Sequence, residues 1–266
     1  MNMKMKRAFT LAELLVVIAV VGITTALAIP NLSKNIDEDK NAMKVKSTFG
    51  MLQTAVQTMA NEKGAISEIM GGNEVADKNT RVGEQLRNYL KSPHSCGTTI
   101  SSCLTEIISD NTTFAFTLKD GTSVAVSECQ NPLYAVKDTQ TQVVTSSFKP
   151  VYCRIYFDIN GLDGPNLAGM DYFNFYITND GDTYFDVPNV DSATGEYLPD
   201  IKYVTNTTTG ALEESPFTDF ADGQQLRWIM TIGNMEYLKL KTVNNKKVCP
   251  NNNSITLNWQ TRHTCD

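Results

Sequence analysis

Histidine is almost missing from this chain. Among 266 residues only His94 and His263 occur, and no two cysteines stand in Cys-x-x-Cys spacing. A zinc site draws its ligands from these residue types at short spacing, so none is expected. The chain also lacks a Gly-rich phosphate loop, a nucleophile elbow and a metal triad. Ser, His and Asp occur without a recognisable arrangement, so catalysis is not expected. Basic residues are in short supply: 23 Lys and Arg face 29 Asp and Glu, a formal net charge of −6. Three of the 23, Lys4, Lys6 and Arg7, sit in the first eight residues beside no acid, which leaves 20 against 29, or −9, for the remainder. Phosphate contacts need Lys and Arg, so such a body is a poor general binder of nucleic acid. Long apolar runs are scarce too, with one exception near the start. At 41% hydrophobic and 20% charged the composition excludes wholesale disorder. The length suffices for one sizeable core, or for one core with an appended subdomain.

The exceptional run is Phe9 to Ile29, 21 residues carrying one charge, Glu13. As a helix it crosses a hydrocarbon core of about 30 Å. Lys4, Lys6 and Arg7 then stay on the cytoplasmic side. Twelve of the 21 residues are Phe, Leu, Ile or Val, together worth about −4 to −7 kcal/mol for insertion. A central charge costs about +2.5 to +3.5 kcal/mol, and less near a helix end, where Glu13 lies. Insertion wins, yet the carboxylate still calls for a partner. Two other readings exist: a secretory signal peptide cut after Ala26-Leu27-Ala28, and a plain signal anchor. The carboxylate and the length of the run oppose the first. The second leaves Glu13 without a role.

Ala8-Phe9-Thr10-Leu11-Ala12-Glu13-Leu14-Leu15 closely resembles the processing site of type IV prepilins and of the pseudopilins of type II secretion. The resemblance implies a membrane peptidase that cuts between Ala8 and Phe9 on the cytoplasmic side and methylates the new amine. The family usually has Gly before the cut; Ala8 is a less common variant. Glu13 falls at the fifth mature residue, the family's acidic position, and Gly22 and Pro30 fall at its helix-softening positions. In a packed bundle, Glu13 of one subunit neutralises the Phe9 amine of its neighbour. Pairing relieves the burial of either charge and fixes the axial stagger. Pro30 donates no hydrogen bond and crowds the carbonyl of Ala26. Loss of helix between Gly22 and Pro30 in the filament and a static kink at the membrane exit both remain open. The partners implied are further copies and other pilins or pseudopilins in a helical filament, the prepilin peptidase, an inner-membrane assembly platform and membrane lipid. The location implied is the bacterial inner membrane as a single-pass precursor with its body outside the cytoplasm. A pilus or pseudopilus, periplasmic or at the cell surface, follows.

Beyond the membrane, Val45, Phe49, Leu52, Val56 and Met59 recur at helical spacing, and Gly64 is a stop signal. The chain therefore divides into a basic leader, 1–8, a helix, 9–63, of which 9–29 is transmembrane and filament core, and a body, 64–266. Asp37, Glu38 and Asp39 read as a solvated face. A short helix is expected from Glu84 to Lys91 after a loop at Gly71-Gly72-Asn73. Two hairpins follow from alternation around Lys119-Asp120-Gly121 and Asn179-Asp180-Gly181, with a strand from Val151 to Phe157 between them. The second hairpin runs Tyr172 to Thr178 and Thr183 to Val187. Residues 188–224 read as loop. Arg227 to Ile232 and Met235 to Leu240 read as a third hairpin. Trp228, Asn234, Met235, Tyr237 and Leu238 are loosely similar to a segment near the end of many pseudopilins. The fold class is α+β, a long helix packed on an antiparallel sheet, which is also what the pilin resemblance implies.

Three candidate sites lie in the body. Asp158, Asn160, Asp163 and Asp171, interleaved with Gly161, Gly164 and Gly169, suit either a calcium ion or a structural turn held by Asx hydrogen bonds. The pattern departs from an EF-hand, since no Glu closes the loop. It is similar to an Asp-x-Asn-Gly…Pro-Asn…Gly…Asp segment of many pilin-like proteins. Six cysteines after an export segment suggest disulfides, with fifteen connectivities possible. Proximity favours Cys96 with Cys103 and Cys249 with Cys265, leaving Cys129 with Cys153. The last loop resembles the C-terminal disulfide loop of many pilins. Lys239, Lys241, Lys246, Lys247 and Arg262 form a local basic patch, either solvated or able to touch DNA.

Overall fold

The computed structural model describes residues 38–71, 75–104, 113–130, 136–137, 144–145, 150–191, 194–200, 203–205, 212–214, 224–244, 246–258 and 261–265. The chain divides into two units, Met1–Lys40 and Asn41–Asp266. Of the first, residues 38–40 are described, as helix.

Residues 38–63 form helix α1. Val45, Phe49, Leu52, Val56 and Met59 on its apolar stripe are each 3% exposed or less. The opposite side shows Met43 and Met51 to solvent, at 63% and 42% exposed. Gly64 ends the helix at φ 91°. Two further helices follow, α2 (Ile66–Met70) and α3 (Val75–Tyr89). Helix α3 is longer than the expected Glu84–Lys91 segment. Its buried stripe runs Asn79, Val82, Leu86, so a polar residue interrupts the apolar signal. Asn79 Oδ1 accepts the backbone N–H of Cys129 at 3.0 Å, which satisfies the amide inside the core.

Six strands make one antiparallel sheet: β1 (His94–Gly97), β2 (Phe114–Thr117), β3 (Ser123–Gln130), β6 (Tyr152–Asp158), β7 (Tyr172–Thr178) and β8 (Thr183–Tyr184), in that spatial order. Between β3 and β6 the chain forms a small pair, β4 (Val136–Lys137) with β5 (Val144–Thr145). Alternation sorts the two faces. Phe114, Phe116, Val124, Val126, Ile155, Phe157, Phe173, Phe175 and Ile177 join the main core with the α1 stripe. Ala115, Ala125, Tyr156 and Tyr172 point to the other face. There the Arg154 guanidinium lies over Tyr156 and Tyr176, 4.8 and 5.3 Å from the ring centroids, and pairs with Glu128 at 3.2 Å. Phe49 anchors α1 on the sheet, its ring 5.0 Å from Phe175 and 5.5 Å from Phe185.

The β2–β3 and β7–β8 turns are built alike. Leu118 exchanges hydrogen bonds with Thr122 and Gly121 as Thr178 does with Asp182 and Gly181. Gly121 and Gly181 hold φ of 88° and 83°, a conformation that L side chains resist. Strand β8 stops at Tyr184, short of the expected Val187. The Asp200 carboxylate takes the next two backbone N–H groups, Phe185 at 2.7 Å and Asp186 at 3.3 Å.

Two further expectations need correction. The stretch 188–224 contains a strand pair, β9 (Tyr203–Thr205) with β10 (Leu212–Glu214). The third hairpin does not form: Gln224–Thr231 is helix α4, and Glu236–Lys239 is a turn of 3-10 helix. Leu226 and Ile229, one helical turn apart, are both buried with Trp228. Gly233, at φ 95°, terminates the helix rather than turning a hairpin. A final pair, β11 (Lys241–Val243) with β12 (Lys246–Val248), precedes the C-terminus.

Candidate functional site

The loop between β6 and β7 gathers three of the four oxygen-bearing side chains singled out above. Asp158, at the end of β6, and Asp171, at the start of β7, are 0% and 2% exposed. Both work as internal acceptors. Asp158 Oδ1 takes the backbone N–H of Asn160 at 3.0 Å. Asp171 Oδ1 takes that of Leu167 at 2.7 Å, and its Oδ2 takes that of Asn166 at 2.8 Å. Asn160 Nδ2 donates to Gly164 O at 3.1 Å and Asp171 Oδ2 at 3.3 Å, while its Oδ1 is buried without a donor. Asp163 stands apart with its side chain in solvent. The orientation of the Asn166 amide that satisfies both its ends turns Nδ2 inward. That group then donates to Asp158 Oδ2 at 2.8 Å, Gly161 O at 3.1 Å and Asp163 O at 3.3 Å. A neutral donor thus occupies the point where three loop oxygens converge.

Burial pushes the Asp158 carboxyl up to about 6; the Asn160 N–H pulls it back, and the neighbouring Asp171 charge raises it further. The loop is clasped from the C-terminal side. Tyr237 OH donates to Gly169 O, and burial raises the Tyr237 pKa well above the usual phenol value. Gly169 leaves no room for a side chain, since a Cβ there would stand 2.6 Å from Gln225 Cγ on α4. Trp228 Nε1–H donates to Asn234 Oδ1 at 2.8 Å, and Asn234 Nδ2 donates to His263 O at 3.1 Å. The two segments singled out separately in the sequence, 158–171 and Trp228…Tyr237, therefore meet at Gly169.

Three disulfides close the body: Cys96–Cys103, Cys129–Cys153 and Cys249–Cys265. The first and last are the pairs that proximity favours, and the second is the pair they leave. Beside the first stands His94, two residues before Cys96, a spacing that no Cys-x-x-Cys pattern contains. Its ring and the two sulfurs lie within 4.8 Å of one another. The basic patch is partly self-satisfied: Lys239 Nζ pairs with Glu236 at 2.5 Å, and Lys241 Nζ donates to Pro250 O at 2.8 Å. Lys246 and Lys247 are exposed on β12.

Ala8, Phe9, Glu13, Gly22 and Pro30 lie outside the described residues. Among the described residues no helix is long and apolar enough to cross a membrane. Residues 3–29 match the family model for the prokaryotic N-terminal methylation motif. This is the prepilin-type cleavage and methylation motif of type IV pilins and pseudopilins, and it supports in general terms a protein of that kind. It implies processing by a prepilin peptidase and a membrane-anchored precursor, and it points to a structural rather than an enzymatic family. No curated protein and no solved structure matches the chain.

Proposed function

We propose that this chain is the precursor of a filament subunit of a type IV pilus or a type II secretion pseudopilus, cut between Ala8 and Phe9 and packed through its first helix. The observation that carries the reading is the methylation motif at residues 3–29, with one carboxylate, Glu13, inside its apolar run. An isolated charge at that depth is unfavourable, and the amine released at Phe9 of an adjoining copy is the partner of opposite sign. Continuation of the helix through Pro30 into α1, with softening between Gly22 and Pro30, belongs to the same proposal.

Within this reading the 158–171 loop is a hydrogen-bonded brace. Calcium takes six to eight oxygens. Here both Asp171 oxygens already accept N–H groups, Asp163 faces solvent, and the Asn166 amide fills the centre. Of the buried oxygens on these four side chains, Asn160 Oδ1 alone lacks a donor, too little for a cage.

The test is substitution of the carboxylate. Glu13→Leu is expected to insert into the membrane as the wild type does and to be missing from sheared filaments. Its recovery in filaments at wild-type level would overturn the assembly role.

A further inference from the structure

The edge strand β1 sets an exposed histidine beside the Cys96–Cys103 disulfide, a pairing that bracing the body does not require. β1 pairs with β2 through His94↔Thr117 and Ser95↔Phe116, and the register breaks between Ser95 and Gly97, at Cys96. A turn of 3-10 helix, Ile100–Ser102, brings Cys103 back beside it. The sulfurs of Cys96 and Cys103 and a ring nitrogen of His94 lie within 4.8 Å of one another.

The disulfide is not all that holds these donors together. Thr99 N–H donates to Cys96 O at 3.0 Å, and Ser102 N–H to Thr99 O at 3.2 Å. The N–H groups of Cys103 and Leu104 both donate to Ile100 O, at 2.9 and 2.8 Å. Ser123 OγH donates to Cys103 O at 2.5 Å, and Thr117 Oγ1 lies 3.1 Å from Cys103 Sγ. None of these needs the S–S bond. Opening it leaves two thiols and an imidazole on a scaffold that backbone hydrogen bonds and a strand pairing still fix. Access also sets this disulfide apart. Cys129, Cys153 and Cys249 are 0% exposed and Cys265 8%, whereas Cys96 is half-buried and His94 exposed. A reductant therefore reaches Cys96 first, and Cys103, whose sulfur the Thr117 hydroxyl can stabilise as a thiolate, is the leaving group.

We propose that His94, Cys96 and Cys103 form a redox-gated site for a thiophilic divalent cation such as zinc, closed as the disulfide and opened by a dithiol reductant. The dithiol transfers two electrons and two protons to the S–S bond. It departs as its own disulfide and leaves two cysteine thiols. The metal ion displaces both thiol protons, which pass to solvent, and takes a neutral imidazole nitrogen as third ligand. Two thiolates and one divalent cation sum to no net charge, with one position open to water. Zinc–sulfur bonds of about 2.3 Å in tetrahedral geometry set two sulfurs about 3.8 Å apart, so the sulfurs joined in the disulfide swing apart on reduction, while the imidazole nitrogen already stands within 4.8 Å of both.

The experiment uses the full chain in detergent with its disulfides intact. Graded dithiol treatment, alkylation and mass mapping show which disulfide opens first. Zinc is then titrated against a chromophoric chelator, and cadmium binding is followed by thiolate charge-transfer absorption. The expected result is that Cys96–Cys103 opens first and that the partly reduced chain binds one metal ion while the oxidised chain binds none. His94→Gln, on an exposed side chain, is expected to weaken binding by at least about tenfold, and the Cys96→Ser, Cys103→Ser double variant to abolish it. Equal binding by oxidised and reduced chains, unchanged affinity in His94→Gln, or retained binding in the double variant would overturn the proposal.

Discussion

Asp171 accepts two backbone N–H groups, from Asn166 and Leu167, inside the β6–β7 loop. Alanine there leaves both donors without an acceptor. Asp171→Ala is therefore expected to destabilise the body by about 2–4 kcal/mol, read as a shift in the denaturant midpoint, with Asp171→Asn losing less. Asp158 carries a pH signature. Its folded pKa, about 6, stands above the ordinary 3.8, so the folded state binds the proton more tightly than the unfolded chain. Stability from this group is fully present below about pH 4 and is lost as pH rises through about 6, by at most about 3 kcal/mol. The Asn166 amide, by donating to the carboxylate, reduces that loss. Asp158→Asn is expected to flatten the decline; superimposable stability curves for variant and wild type would remove Asp158 as its source. Calcium is expected to leave the melting temperature and the protease resistance of the body unchanged. A calcium-dependent rise in either would restore the ion-cage reading of Asp158, Asn160, Asp163 and Asp171.

At the scale of elements, the α1 stripe and the two glycine-turned hairpins were legible because their patterns are uninterrupted. Five apolar residues at 3- and 4-residue spacing, and alternation closed by Asp-Gly, have few other solutions. Helix α3 was legible only in its second half, because the core position at Asn79 is polar. Helix α4 is not legible in the sequence because a six-residue apolar-rich run suits a strand or a helix equally, and Gly233-Asn234 resembles a hairpin turn. The deciding facts were tertiary: Trp228 hydrogen-bonds Asn234, and Tyr237 reaches Gly169. The same reasoning explains the loop. Oxygen side chains were visible in sequence, but the Asn166 amide that fills their midst was not distinguishable from a further ligand. Packing between elements yields its own test. At Gly181 a Cβ would stand 2.8 Å from the Ala60 Cβ of α1, and φ is 83°. Gly181→Ala is expected to destabilise the body by about 1–3 kcal/mol, and Phe49→Ala by about 3–5 kcal/mol, both by chemical denaturation.

For the whole molecule, the described body is an antiparallel sheet with helices on one face, braced by three disulfides and by a C-terminal segment that clasps the β6–β7 loop. The methylation motif precedes it. The body is an α+β scaffold; the motif implies a membrane-anchored precursor. Everything proposed about assembly depends on a free amine being generated at one bond. The most direct measurement is therefore the N-terminus of the mature protein, by mass spectrometry of material recovered from the cell envelope. A chain that begins at N-methylated Phe9 is expected. A mature chain that begins at Met1, or at Ile29 after a signal-peptidase cut, would contradict it.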